Sequence, residues 1–181
     1  VRKLRTAQPS FRQDERVPYF LLGDTQLSIP VNVDLPLPVG LPVEYIPDQE
    51  TRLRLYRRMS DIRTLPEVDA LVDEFNDRFG ALPEETRNLL FQVRLKLLAE
   101  KAGLTGITCE NGQIVLRYPP LPEGVQTRDF TNVSDLSAYH VRKGKNALWM
   151  PMTISGLTES HSTESHSNWQ DRLADMVNAL A

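Results

Sequence analysis

The chain has 181 residues, 40% of them hydrophobic and 25% charged, with a formal net charge of −3. That length suits one domain with a tail, and the acidic balance supplies no overall positive field to hold a polyanion, so any nucleic-acid contact has to be local. No apolar run approaches the roughly 18 residues of a membrane-spanning helix and no signal segment opens the chain, so no membrane partner is expected.

In chain order, Val1 stands where an initiator methionine would, and Val1 to Arg5 reads like the end of a helix, so a piece of a longer protein is expected. Gln8, Pro9, Ser10, Asp14, Glu15 and Pro18 follow with little periodicity, which makes residues 1–24 a linker. From Thr25 to Leu35, apolar Leu27, Ile29, Val31, Val33 and Leu35 alternate with mostly polar neighbours, the period of a half-buried strand; Pro30 places it at a sheet edge. Pro36, Pro38, Pro42 and Pro47 then punctuate an extended crossing.

Three helices come next. Asp48 is the N-cap of the first, which runs to about Ile62 with Leu55, Tyr56, Met59 and Ile62 at helical spacing. The second opens with Thr64 and Glu67 spaced as a capping box, carries Val68, Leu71, Val72, Phe75 and Phe79 along one face, and stops at Gly80. The third has Pro83 in its first turn, Glu84 and Glu85 at the positive dipole end, then Leu89, Leu90, Val93, Leu97 and Leu98 before Gly103.

Ile107 to Cys109 and Ile114 to Tyr118 flank Asn111-Gly112, the dipeptide best suited to a tight hairpin turn. Asp135 to Tyr139 reads as a short helix, Leu148 to Ile154 as another strand, and Arg142, Lys143 and Lys145 around Gly144 as a turn between short strands. Gly156 to Ser167 is Ser/Thr/His/Glu-rich, a connector, and beyond it Trp169, Leu173, Met176, Val177 and Leu180 form one helical stripe that must dock on something. The expected domains are therefore residues 25–155 as a folded unit and 156–181 as a flexible connector with a terminal helix. The expected fold class is α+β: a three-helix central group packed with a small, mainly antiparallel sheet, plus a C-terminal amphipathic helix.

Catalytic signatures are missing. No G-x-x-x-x-G-K-[ST] stretch is present to cradle nucleotide phosphates, so the chain is not expected to hydrolyse ATP. Cys109 has no activating pattern and no partner for a disulfide; it reads as a small core residue in a reducing, cytoplasmic setting. His161 and His166 lack a third ligand, and His140 sits beside Arg142, Lys143 and Lys145, so no metal and no cofactor are expected.

Two charged features remain. Arg52, Arg54, Arg57 and Arg58 on the first helix offer a possible nucleic-acid contact, although arginines of this kind more often form a solvated face or pair with a neighbouring helix. On the second helix Glu74, Asp77 and Arg78 lie at i, i+3 and i+4, one polar patch turned away from the apolar stripe. By spacing alone it is an intrahelical ion pair on a wet surface worth about 0.3–0.5 kcal/mol. The alternative is a docking patch whose mixed signs set orientation and register.

Tyr45-Ile46-Pro47-Asp48, Arg52-Leu53, Tyr56-Arg57-Arg58, Asp73-Glu74, Asp77-Arg78-Phe79-Gly80 and Leu82-Pro83 follow one another in an order and spacing that resembles the C-terminal domain of bacterial transcription-repair coupling factors (Mfd). The resemblance is carried by residues 41–104. It implies a module that follows the ATP-driven DNA translocase motor of a multidomain protein, one that displaces stalled RNA polymerase from duplex DNA and recruits nucleotide excision repair. It further implies that this module packs on the UvrB-like N-terminal module of the same protein and masks its UvrA-binding surface. The residues before the Arg-Phe-Gly turn carry that contact, which here means Glu74, Asp77 and Arg78. On this resemblance the chain is a regulatory interaction domain and not an enzyme, with a nucleic-acid-binding module using Arg52 to Arg58 as the alternative.

Overall fold

The computed structural model describes residues 31–126, 128, 130, 136–152 and 167–181. Within them the order is β1 (Asn32–Asp34), α1 (Gln49–Asp61), α2 (Leu65–Phe79), α3 (Glu84–Lys101), β2 (Gly106–Glu110), β3 (Gln113–Arg117), a 3-10 turn (Leu136–Tyr139), β4 (Arg142–Lys143), β5 (Ala147–Pro151) and α4 (Ser167–Leu180). The expected α+β arrangement is observed. The linker over residues 1–24, the first half of the predicted edge strand with Pro30, and the connector with His161 and His166 lie outside the described residues.

The helix starts follow from local chemistry. The Asp48 carboxylate accepts from the Thr51 amide at 2.7 Å and satisfies one of the orphan donors of α1. The Glu67 carboxylate reaches back to the amides of Arg63 at 2.8 Å and Thr64 at 3.2 Å, closing the acidic half of the predicted capping box. These amides hold the Glu67 carboxyl below its ordinary range, as the Thr51 hydrogen bonds do for Asp48. Gly80 ends α2 at φ +85°, a conformation that a side chain would strain.

The sheet order is β1-β2-β3-β5-β4. β2 and β3 form the predicted hairpin, with Asn111 at φ +51° and Gly112 at φ +73° in its turn. β3 pairs antiparallel with β5, and β5 with β4, so the basic turn around Gly144 does connect two short strands. β1 lies at the sheet edge and runs parallel to β2, with Asn32 opposite Gly106. The sheet is thus mixed, with antiparallel pairing in the majority. A parallel neighbour requires a long crossover, and here α1, α2 and α3 together provide it.

Two apolar clusters result. One joins the inner face of the sheet to α3 and α4 through Ile107, Leu116, Leu148, Leu95, Leu173 and Met176, all buried. The other lies between α1, α2 and α3 and contains Leu55, Met59, Leu71, Phe75 and Leu90. α3 separates them, which explains why its apolar residues wrap around the helix instead of forming one stripe: Leu90 serves the helical cluster, while Leu95, Leu98 and Ala99 serve the sheet cluster. The terminal stripe of Trp169, Leu173, Met176 and Val177 docks within the same chain, on the sheet cluster.

The proline-rich crossing is fastened to α3 by two buried polar side chains. The Thr86 hydroxyl donates to the Gly40 carbonyl at 3.1 Å, and the Asn88 amide donates to the Pro38 carbonyl at 3.0 Å. Burying these groups is tolerated because each is paired. Asn88 also accepts from Gln170 of α4 at 3.5 Å, so one side chain links crossing, α3 and α4.

Candidate docking surface on the second helix

α2 buries Val68, Leu71 and Phe75, with Val72 and Phe79 half-buried beside them, and this fixes which charges face solvent. At about 100° per residue Asp73 and Asp77 point to the opposite side, while Glu74 and Arg78 lie on the flank beside Leu71. Asp73, Asp77 and Arg78 are exposed, while Glu74 is partly covered.

The coverage of Glu74 comes from a neighbouring helix. Arg78 donates to Glu74 Oε1 at 2.6 Å, the intrahelical pair anticipated from the i, i+4 spacing. Arg58 of α1 donates to Glu74 Oε2, a contact that spacing along α2 could not reveal. Hydrogen bonds from Arg58 and Arg78 hold the Glu74 carboxyl below its ordinary range. The guanidinium of Arg78 also rests 4.9 Å from the Phe79 ring centroid, which ties the charged patch to the aromatic end of the core.

That end is anchored from the crossing. The Tyr45 hydroxyl lies 3.2 Å from the Phe75 carbonyl oxygen and 3.0 Å from that of Gly80, so its one proton bridges the last turn of α2 and the residue that ends it. Its ring packs 5.9 Å from Phe79 and 6.4 Å from Phe75, centroid to centroid. Partial burial pushes the Tyr45 phenol up. Tyr45 therefore sets the position of the last turn of α2, where Asp77 and Arg78 sit. Sequence spacing gave no indication of this role, because Tyr45 lies in an irregular segment without periodicity.

The four arginines of α1 do not make one strip. Arg52 donates to the carbonyls of Ile46 at 2.6 Å and Pro47 at 2.9 Å, Arg54 to Thr51 Oγ1 at 3.3 Å, and Arg58 to Glu74. Arg57 is exposed. Cys109 is half-buried against the sheet cluster, its sulfur 3.3 Å from that of Met152. No described helix is long and apolar enough to cross a membrane.

The family described as the TRCF domain matches residues 35–126, which contain α1, α2, α3, the hairpin and the whole charged patch. The chain is 41% identical over 99 residues to the transcription-repair-coupling factor of Mycobacterium bovis, a match covering 54% of this chain and 8% of that protein. With that of Escherichia coli it shares 42% identity over 72 residues, covering 40% of this chain and 6% of the relative. The chain thus spans less than a tenth of the length of these relatives. A crystal structure of the C-terminal domain of a transcription-repair coupling factor matches with a TM-score of 0.62 at 16% identity, covering 83% of this chain and 92% of that one, a likeness of fold. Since the family match takes in half of the chain and every element that builds the patch, the chain belongs to the TRCF domain family of transcription-repair coupling factors.

Proposed function

We propose that this chain is an autoinhibitory interaction domain, not itself a catalyst, which docks through Glu74, Asp77 and Arg78 on the UvrB-like module of its parent and masks the surface that binds UvrA. The parent, on this proposal, is a cytoplasmic ATP-driven DNA translocase that displaces stalled RNA polymerase and recruits nucleotide excision repair. Residues 1–24 act as the tether from the motor, 25–155 as the regulatory domain, and 156–181 as its connector and terminal helix. The observation that carries the proposal is the placement of mixed charges on the solvent side of α2, in a chain of this family. Such a surface sets orientation and register more than affinity, and a tether makes weak docking sufficient through high effective concentration.

The test is titration of this chain with the UvrB-like module in trans. Weak, specific association is expected at low salt, and it weakens as ionic strength rises, because exposed charges are screened over a Debye length of about 8–10 Å. No association at low salt and high concentration contradicts the proposal. Steeply salt-dependent binding to duplex DNA in its place would support the alternative contact through Arg52 to Arg58.

A further inference from the structure

The charges of the patch are not equivalent. Asp73 and Asp77 lie one turn apart on α2, both exposed, and neither forms an ion pair among the described residues. Glu74, between them in sequence, has both carboxylate oxygens engaged by its own chain, Oε2 by Arg58 and Oε1 by Arg78. The two guanidiniums stay half-exposed, at 51% and 49%, while Glu74 is 25% exposed. The unsatisfied charge of the α2 surface is therefore negative, and its complement is cationic. A cation approaching the Glu74 carboxylate, however, meets a trio whose formal charges sum to one positive unit.

We propose that Arg58 is an internal competitor that holds the Glu74 carboxylate against the cationic side chains of the docking partner, and so keeps the docked state weak enough to open. This rests on the docking reading above and adds the partner's chemistry and a residue of α1 to that site. Exposed ion pairs exchange at small cost, so docking proceeds with Arg58 in place but gains when it is removed. A competitor of this kind suits a tethered clamp, because high effective concentration would otherwise hold the domain closed.

The experiment titrates the UvrB-like module with this chain and with its Arg58→Ala, Arg58→Lys, Glu74→Gln and Arg58→Ala/Glu74→Gln variants, alongside thermal melts. Arg58→Ala should bind about two- to fivefold more tightly than the parent chain, from the size of an exposed ion pair. Arg58→Lys keeps the cation and should stay near the parent value. The gain should vanish in the Glu74→Gln background. Carbon-detected NMR of the free chain gives an independent readout: in Arg58→Ala the Glu74 carboxyl should titrate at a higher pH. Should Arg58→Ala melt early, Arg58→Gln replaces it with more of the side chain retained. Weaker or unchanged binding by folded Arg58→Ala, or by Arg58→Gln where it replaces it, while the parent chain binds, overturns the competitor and leaves the docking surface standing. No binding by any variant, parent included, overturns both.

Discussion

Phe75→Ala should destabilise the chain by about 3–5 kcal/mol, the range for truncating a fully buried aromatic side chain. Phe75 has no exposed surface and lies at the centre of the cluster between α1, α2 and α3. Its ring contacts Tyr45 and Phe79, at centroid separations of 6.4 and 5.9 Å, so truncation removes two aromatic pairs as well as apolar area. The backbone carbonyl that receives the Tyr45 hydroxyl remains, but the turn it anchors loses its packing. For a chain of this size the melting temperature should fall by on the order of 10 °C. Thermal and denaturant melts followed by circular dichroism measure this, and an unchanged midpoint would mean that the buried face of α2 is wrongly assigned.

Leu173→Ala is expected to cost about 2–5 kcal/mol, and it tests whether the terminal helix belongs to the fold. Leu173 is fully buried, with Met176 and Val177 beside it, in the cluster shared by α3, α4 and the sheet. Truncation leaves a cavity whose walls are the sheet and α3, neither of which can collapse freely. The whole cooperative transition should therefore shift to lower denaturant with its slope retained. If α4 were an independent appendage, the main transition would keep its midpoint and only part of the helical signal would be lost.

The parts of the fold that depend on neighbouring residues were legible in the sequence. Asp48 as an N-cap, the Thr64/Glu67 helix start, the stop at Gly80 and the Asn111-Gly112 hairpin all rest on short-range chemistry. What depended on tertiary arrangement was not. Alternation marks β1 as a strand but carries no information about its partner, and its parallel neighbour β2 begins more than seventy residues later. Thr86 and Asn88 lie in the polar start of α3, before its apolar residues begin, and their burial follows from carbonyls of the crossing that no periodicity predicts. The charged patch was half visible. Spacing along α2 brought Glu74 and Arg78 together, whereas Arg58 joined them only because α1 packs against α2.

The most direct measurement of the autoinhibitory account is UvrA binding by the full-length parent protein carrying Glu74→Arg, Asp77→Arg and Arg78→Glu together. The fold should survive, since surface charge changes usually cost no more than about 0.5 kcal/mol each. In the last turn of α2 the Arg78→Glu change, which gives up the Phe79 contact, is offset by Asp77→Arg at the negative end of the helix dipole. A reversed pair between positions 74 and 78 keeps the i, i+4 attraction, and the repulsion newly felt by Arg58 is exposed and screened. Across the docked interface, reversal places like charges together and depopulates the closed state. Apparent UvrA affinity scales with the fraction of molecules whose binding surface is open, so titration should show tighter UvrA binding by the triple variant, with melting unchanged. A variant that melts normally yet binds UvrA no better than the parent would contradict the assignment of this face of α2 as the autoinhibitory contact.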